Sequence, residues 1–538
     1  MDAGRNETQK PGLRREFIDW GLVGLGLVIR LWIATRPLDR LARVCLADDA
    51  FYYLRIAENL LTGHGLTFDG VTATNGFHPL WMLISLPAVL FGGGSPGGAR
   101  LLLILSAFIG AGNIWLGGRV VRRLAGPVAG TFAAGFWALS PYVFFTELMG
   151  VEAPLMLLLV LATFDRYLAA RDETAPARRR WLTIGILLGL ALLARTDAIL
   201  FAVPLALDFG LTLRSGAAGR SARRRAGRLA AGAALAVVSP WIVFNEWRFG
   251  TVVQDSARAL LQAKGLILAS GNETFWQEFS GQAFKGLIDF FLRLAAQPNP
   301  AVALALCALL AGGVFVTRLA TGLPFWTAAN RPAWVLLAWG GIVWAFYLFY
   351  FYHQKMWYFL PVYLWIGLAG ALAIGYLDAA LARRVAARIV LLAICLAIVA
   401  GFVRVTAQLW RGGFYPWQRN YLQAAPELRR LAGEIPDSRV GAFNSGMVSA
   451  FSGLPVVNLD GVVNPEAARA VGRGELVGYL RDRRIFVLAD HQRVLAFYAA
   501  ISRDDWTKSF EVVDRLPGAA STGEYIILRL KTAEPGGP

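Results

Sequence analysis

Residues 46–81 read LADDAFYYLRIAENLLTGHGLTFDGVTATNGFHPLW, with two adjacent carboxylates, Asp48 and Asp49, shortly after an apolar segment at 18–35. That segment is close to the roughly 20 apolar residues that cross a bilayer. Apolar and polar residues then recur on opposite sides at helical spacing: Phe51, Leu54, Ala57 and Leu61 against Tyr52, Arg55, Glu58 and Asn59. The pattern predicts a helix in the membrane interface, capped at its N-terminus by Asp48 or Asp49.

The composition is that of an integral membrane protein. Of 538 residues, 56% are hydrophobic and only 17% are charged, well outside the range of soluble domains. The net charge of +17 comes largely from short arginine clusters between apolar runs, a pattern typical of cytoplasmic loops rather than of nucleic-acid binding. Cys45, Cys307 and Cys395 are too scattered for a disulfide framework or a metal site and are interpreted as packing residues.

About eleven transmembrane helices are predicted. The spans are 18–35, 100–118, 128–145, 153–169, 181–194, 198–213, 229–246, 299–317, 333–351, 358–377 and 388–405. The apolar segment 79–91 is left out, because counting it would move most arginine clusters to the outer side, against the positive-inside rule. It is interpreted as an outer juxtamembrane helix, and residues 1–17 as a cytoplasmic tail before a retained signal anchor.

This topology collects the polar candidates on the outer face. Residues 37–98 form a large first outer loop, and the candidates there and in the later outer connections are Asp48, Asp49, Glu147, Glu152, Asp197, His353 and Lys355. From residue 411 to 538 the composition becomes mixed, with strand-like runs RVGAF, PVVNLD, RIFVLAD and EYIILRL. We therefore expect an 18–410 transmembrane domain followed by a small outer α/β domain.

Each candidate also has a structural reading. A carboxylate pair at the interface can act as a general base, bind a cation, cap a helix or solvate a loop. Glu147 and Glu152 can anchor helix ends, and Arg195 and Lys355 can either neutralise a phosphate or snorkel to the interface. His353 can donate to a phosphate or make a structural hydrogen bond. No Walker-type phosphate loop follows a predicted strand, and no GxGxxG opens a βαβ unit. With acids and bases gathered at one interface, this favours a lipid-linked phosphate substrate over soluble nucleotide chemistry.

Several motifs together resemble the bacterial GT-C glycosyltransferases. They are the Asp-Asp pair, YYLRIAENL, TNGFHPLW, GVEAPL and LLARTDA, joined by FNSGMVSAFSGLPVVNLDGVVNP near the C-terminus. They are most similar to relatives of the protein O-mannosyltransferases and the lipid A aminoarabinose transferases, grouped with glycosyltransferase family 39. One departure is MGVE at 149–152, where relatives often carry GME.

The resemblance implies a GT-C fold and inverting transfer of a sugar from a polyprenyl phosphate to an acceptor hydroxyl. It implies Asp48 as the base, with Asp49 and Glu152 completing the catalytic set. We expect Lys355, Arg195 and His353 at the donor phosphate. The substrate-binding candidates are Tyr52, Tyr53, Asn75, His78, Glu147 and Asp197. A divalent cation, Mg²⁺ or Mn²⁺, is compatible with this chemistry, but nothing in the sequence requires one.

Two alternatives remain at this stage. A transporter or flippase would need acids within the spans and symmetry between two halves. A scaffold that binds cell-wall polymer would need no catalytic residue. The donor sugar, the acceptor, the polyprenol length and the choice between Asp48 and Asp49 stay open.

Overall fold

The computed structural model describes residues 13–173, 175–215, 219–269, 300–351, 355–381, 384–435 and 437–531. The first part is helical: α1 (Leu13–Ala34), α2 (Leu38–Val44), α3 (Asp49–Leu61), α4 (Pro79–Gly92), α5 (Ser95–Leu139), α6 (Pro141–Glu147), α7 (Ala153–Ala170), α8 (Arg178–Ala194), α9 (Ile199–Ser215), α10 (Arg220–Phe249), α11 (Asp255–Ala269), α12 (Pro300–Thr321), α13 (Ala333–Ala345), α14 (Leu360–Ala380) and α15 (Val385–Gly412).

Eight helices in the described part of the chain are long and apolar enough to cross a membrane, which confirms the membrane fold class. Every predicted span falls on a helix. The span 100–118 and most of the span 128–145 are joined in α5, whose helical path breaks at Gly126 with φ 88° before Pro127; the last part of the second span lies in α6. Helix α8 has only 17 residues. Helix α4 has 14 residues, which corresponds to about 21 Å of helix, less than the roughly 30 Å of bilayer hydrocarbon.

The arginine clusters gather at one end of the bundle. Arg119 and Arg123 pair with Asp165 near the end of α7, and Arg122 pairs with Asp19 near the start of α1. Helix α7 begins at the opposite end, after Glu152. The basic clusters and the carboxylates of the outer loops therefore lie at opposite ends of the helices.

The C-terminal part forms a small α/β domain. Its elements are α16 (Arg419–Glu434), β1 (Arg439–Ala442), α17 (Gly446–Ser452), β2 (Val456–Asn458), α18 (Pro465–Arg473), α19 (Leu476–Asp482), β3 (Ile485–His491), α20 (Gln492–Ile501), α21 (Trp506–Ser509), β4 (Phe510–Ala519) and β5 (Gly523–Leu530). The sheet order is β2-β1-β3-β5-β4. Strands β2, β1 and β3 are parallel to one another, and β5 runs antiparallel to both of its neighbours, β3 and β4. The four predicted strands are confirmed; β4 was missed because it is a largely exposed edge strand.

The two faces of the sheet pack differently. Val440, Val487 and Ile527 belong to a hydrophobic core that continues into α3 and the membrane helices. Val457 and Leu488 belong to a separate core on the other face, beneath α19 and α20. One face of the domain is thus fixed against the first loop.

Helix α3 differs from the prediction in its surroundings. It forms where expected, but Tyr52, Tyr53 and Asn59 are buried along with Phe51 and Leu54. Tyr52 contacts the C-terminal domain, Tyr53 bonds to Glu152, and Asn59 bonds to the backbone of the first loop. Of the predicted polar side, Tyr52 and Asn59 therefore face protein, whereas Arg55 and Glu58 stay partly exposed and pair with each other.

Candidate functional site

A cavity of about 460 Å³ lies at the end of the bundle opposite the arginine clusters. Eight of the predicted site residues line it: Asp49, Tyr52, Tyr53, His78, Glu152, Arg195, Asp197 and Lys355. They come from α3, from the start of α4 and from the ends of the membrane helices. The positions 49 and 355 are far apart in the sequence, and only the fold brings them together.

Asp49 and Lys355 form an ion pair on the cavity wall. The Lys355 Nζ donates to both carboxylate oxygens of Asp49, at 2.7 and 3.0 Å, and each side chain is slightly more than a quarter exposed. Asp49 is the first residue of α3, where the helix dipole favours a negative charge. Lys355 also lies 5.1 Å from the centre of the Trp357 ring. The pair is open to a ligand in the cavity.

A second, buried network surrounds Arg195. Its guanidinium donates to Glu152 at 2.7 Å, to Asp197 at 2.8 Å and to the Tyr347 hydroxyl at 2.8 Å. It also lies 4.5 Å from the centre of the Tyr358 ring. The side chain is only 4% exposed, so Arg195 primarily fixes the surrounding carboxylates.

Glu152 connects this network to the first loop. Its second carboxylate oxygen accepts from the Tyr53 hydroxyl at 2.8 Å. The His78 Nε2 lies 3.7 Å from its first oxygen, and the His78 Nδ1 lies 3.3 Å from the Gln254 amide nitrogen. Burial lowers the pKa of His78, against the opposing effect of Glu152. The His78 imidazole is therefore neutral at neutral pH, which suits it to hydrogen bonding and not to charge pairing.

Asp48 lies beside the cavity but does not line it. Its carboxylate accepts from the backbone N–H groups of Gly446 at 3.1 Å and Met447 at 2.6 Å. The expected side-chain cap of α3 by Asp48 does not form. Asp48 instead caps α17 of the C-terminal domain, and its 8% exposure reflects this contact.

The position of Asp48 predicts a pH-dependent stability. Burial raises the pKa of Asp48 to about 7, in spite of the two amide hydrogen bonds. An unfolded aspartate has a pKa near 4, so between about pH 4 and 7 the folded protein holds the extra proton, and stability falls by up to about 1.4 kcal/mol per pH unit as the pH rises. We expect the thermal midpoint of the solubilised protein to fall across this window, and to fall less in Asp48→Asn. Asp482→Asn, on the exposed surface, is the control and should keep the wild-type slope; a wild-type slope in Asp48→Asn would contradict the account.

Two other predicted residues, Glu147 and Asn75, do not line the cavity. Glu147 is fully buried in an ion pair with Arg30 at 2.6 Å. Asn75 bonds to Asn245 at 3.2 Å and accepts from the backbone N–H of Asp255 at 2.9 Å, which ties the first loop to α11. His353 lies outside the described residues. The substrate-binding prediction for Glu147 and Asn75 therefore gains no geometric support, because their polar groups are already paired inside the protein.

Asp460 was not singled out from the sequence. It follows β2, and burial raises its pKa to about 7, with Lys355 and Asp49 acting on it electrostatically. Its neighbour Val462 lines the cavity. Ligand sites commonly lie at the carboxyl ends of parallel strands, and that rule was the available signal.

Tyr347, Tyr358 and Gln254 were also missed. They line the cavity, and the Tyr347 and Tyr358 rings stack 4.4 Å apart. The aromatic-rich run FYLFYFYHQKMWYF has no feature that separates these two tyrosines from its packing residues.

Part of the cavity wall is apolar. It contains Ile199, Val252, Val253 and Phe346, of which Ile199, Val252 and Val253 are about half exposed at the protein surface. Among the described residues, no three His, Cys, Asp or Glu side chains are grouped as a metal site would need. A cation held here would take part of its ligands from water or substrate. The cavity therefore offers a charged wall and an apolar wall to one ligand.

Comparisons with known proteins agree with this architecture. The family described as dolichyl-phosphate-mannose-protein mannosyltransferase matches residues 77–244. A domain family of unknown function, DUF8728, matches residues 416–528. A comparison with curated protein sequences found no match.

Solved structures match over nearly the whole chain. ArnT from Cupriavidus metallidurans in the apo state is 14% identical with a TM-score of 0.58, covering 95% of this chain and 98% of that one. The same protein bound to undecaprenyl phosphate is 13% identical with a TM-score of 0.55, covering 96% of this chain and 99% of that one. The Archaeoglobus fulgidus oligosaccharyltransferase tethered to an acceptor peptide is 14% identical with a TM-score of 0.58, covering 95% of this chain and 74% of that one. At these identities the likeness concerns the fold. The chain therefore has the fold of the GT-C membrane glycosyltransferases, the superfamily that its sequence motifs resemble.

Proposed function

We propose that this protein is an inverting glycosyltransferase that moves a sugar from a polyprenyl phosphate to an acceptor hydroxyl. The observation that carries the proposal is the cavity lining, which combines the Asp49–Lys355 ion pair with the apolar residues Ile199, Val252 and Val253. A lipid-linked sugar phosphate has matching parts: an isoprenoid chain for the apolar wall and an anionic group for the cation. The undecaprenyl phosphate bound by the structurally similar ArnT adds support for a donor of this class.

Asp49 is our choice for the general base. The sequence assigned this role to Asp48, but the Asp48 carboxylate is engaged by two backbone amides, whereas the Asp49 carboxylate lines the cavity. Geometry takes precedence over pKa in such a choice, since the base must reach the proton that it removes. In this mechanism Asp49 accepts the proton of the acceptor hydroxyl while that oxygen attacks the anomeric carbon. The bond from that carbon to the phosphate oxygen breaks on the opposite face.

Lys355 is the cation for the departing phosphate, and because that phosphate leaves opposite the base, the 2.7 Å contact between Lys355 and Asp49 has to open when the substrates bind. Negative charge grows on the phosphate as the bond breaks, and a pre-positioned ammonium stabilises it. Arg195 is less available, since Glu152, Asp197 and Tyr347 use its donors. We propose that Arg195 holds Glu152 and Asp197 in place. These two carboxylates, together with Tyr53 and His78, would position the sugar hydroxyls.

We also propose that the cavity and the C-terminal domain face the extracytoplasmic side of the plasma membrane. The support is the separation of the two bundle ends, because arginine clusters favour the cytoplasmic side. The catalytic end would then face outward. Protease access to the C-terminal domain in intact spheroplasts measures this directly.

The function is tested with membranes that contain the protein and a panel of radiolabelled polyprenyl-phosphate sugars. Transfer of label from one donor into membrane or cell-envelope material, absent from membranes without the protein, is the expected result. Transfer only from pyrophosphate-linked donors would contradict the donor class. ATP- or ion-driven movement of the lipid without transfer would favour the transporter.

Two substitutions of Lys355 test whether its positive charge is needed for transfer. We expect Lys355→Gln to lower kcat/KM for the donor by about 10² to 10³, the usual loss for one donor that stabilises developing charge. Lys355→Arg, which keeps the charge, should recover part of the loss. Lys508→Gln, a highly exposed lysine, is the matched control. Wild-type kinetics in Lys355→Gln would remove the phosphate role.

A further inference from the structure

A second polar cavity, of about 550 Å³, lies at the end of the bundle that carries the arginine clusters. It is lined by Arg171, Asp208, Leu211, Thr212, Arg331 and Trp334. Helix α7 separates it from the catalytic cavity, with Glu152 before its first residue and Arg171 after its last. The 18 helical residues between them span about 27 Å. The second cavity therefore cannot belong to the same substrate site.

Among the described residues that line this cavity, Asp208 is the one acid, and its carboxylate is already paired with donors. Asp208, 2% exposed, accepts from the Tyr167 hydroxyl at 2.6 Å and from the Trp334 Nε1 at 2.9 Å. Arg171 completes the set with an ion pair at 3.2 Å. Asp208 thus has little capacity left to repel an incoming anion.

Positive charge exceeds negative charge around the cavity. The Arg171 side chain is 12% exposed, and its Nε is buried without a hydrogen-bond partner in the described structure. Arg331 lies on the exposed rim, immediately before Pro332, the N-cap of α13, and the N-terminal end of a helix favours anions. Behind the wall, Arg223 donates to the Thr212 carbonyl oxygen at 3.2 Å. Two arginines therefore line the cavity and a third lies near it, against the saturated Asp208 and the exposed Asp172, whose carboxylate is 4.0 Å from the Arg171 Nε.

The rim of the cavity is partly apolar. Leu211 is 55% exposed and lies on α9, which is long and apolar enough to cross the membrane. Trp334 gives the cavity an amphipathic wall, a side chain suited to the headgroup level of a bilayer. The site thus meets both the aqueous end and the lipid-facing side of the helices.

We propose that this cavity binds the phosphate group of an anionic phospholipid, with Arg171 and Arg331 as its cationic contacts. Guanidinium groups match phosphate oxygens in a two-pronged geometry. The exposed Leu211 favours a phosphate that carries acyl chains over a free one. Occupation of the site would link the ends of α7, α9 and α13, which all meet at Asp208.

The test is the affinity of the purified full-length protein, in nanodiscs of phosphatidylcholine, for added phosphatidylglycerol, measured by native mass spectrometry. We expect Arg331→Gln to weaken binding of the tightest phosphatidylglycerol by at least about tenfold, the loss of one charge-assisted contact. Arg318→Gln, an exposed arginine near the end of α12 that does not line the cavity, is the matched control and should bind as wild type. Inorganic phosphate is titrated in a parallel arm as the competitor.

Equal weakening in Arg331→Gln and Arg318→Gln would overturn the proposal, since it would indicate general surface charge. Unchanged binding in Arg331→Gln would also overturn it. If only a high concentration of inorganic phosphate displaces the lipid, and Arg331→Gln weakens binding of both, the cavity contacts a phosphate group and the preferred ligand is the lipid. If inorganic phosphate binds as tightly as phosphatidylglycerol, the lipid is not the ligand.

Discussion

Replacing Asp49 by Asn is expected to slow sugar transfer by about 10² to 10⁴, the range for loss of a positioned general base. An amide of the same size can still accept from Lys355 but cannot remove the acceptor's proton. Binding of the polyprenyl-phosphate donor should change far less than the rate, because the apolar wall and Lys355 remain. The measurement is single-turnover transfer, with donor binding determined separately on the same preparation.

The matched comparison is Asp48→Asn. Because Asp48 bonds to the N-terminus of α17, its replacement should loosen the C-terminal domain and reduce transfer less than Asp49→Asn does. Asp482→Asn controls for expression and for the loss of one carboxylate. If Asp48→Asn lost the chemical step and Asp49→Asn kept it, the base would be Asp48, as the sequence motif implied.

Replacing Glu147 by Ala is expected to cost about 3 to 5 kcal/mol of stability, because it leaves the charge of Arg30 buried without its partner. The ion pair is 2.6 Å long and neither side chain is exposed. Glu147 also accepts from Asn113 at 2.8 Å and from Trp137 at 3.0 Å, so two helices, α1 and α5, lose a common acceptor. The measurement is the thermal or denaturant midpoint of the solubilised protein.

The control is the double substitution Arg30→Met with Glu147→Met. Removal of both charges by side chains of fitting volume should recover most of the loss, as happens at other buried pairs. A Glu147→Ala protein of wild-type stability with a raised KM for the sugar would contradict the structural role. It would restore the substrate-binding interpretation made from the sequence.

Periodicity and composition explain what was predictable. The eleven spans and four of the five strands leave a clear apolar pattern, and the arginine clusters fix the relative orientation of the helices. Strand β4 leaves no apolar pattern in the sequence, since most of it faces solvent. The charged candidates Asp49, Glu152, Arg195, Asp197 and Lys355 could be named because each interrupts an apolar context at a helix end.

The remaining features depend on contacts distant in the sequence. Asp48 and Asp49 are adjacent, yet only the docking of α17 decides which carboxylate is covered. Arg30 lies in an apolar span, where a lone arginine is easily interpreted as snorkelling, and its pairing with Glu147 gives no local signal. The apolar wall from Val252 and Val253 likewise follows from the position of the chain before α11.

The most direct test of the central claim is the anomeric configuration of the product formed from a polyprenyl-phosphate sugar of known configuration. Attack by an acceptor oxygen activated by Asp49, opposite the leaving phosphate, predicts inversion by wild-type protein and almost no product from Asp49→Asn. Retention of configuration, or an equal rate from Asp49→Asn, would contradict direct displacement with Asp49 as the base.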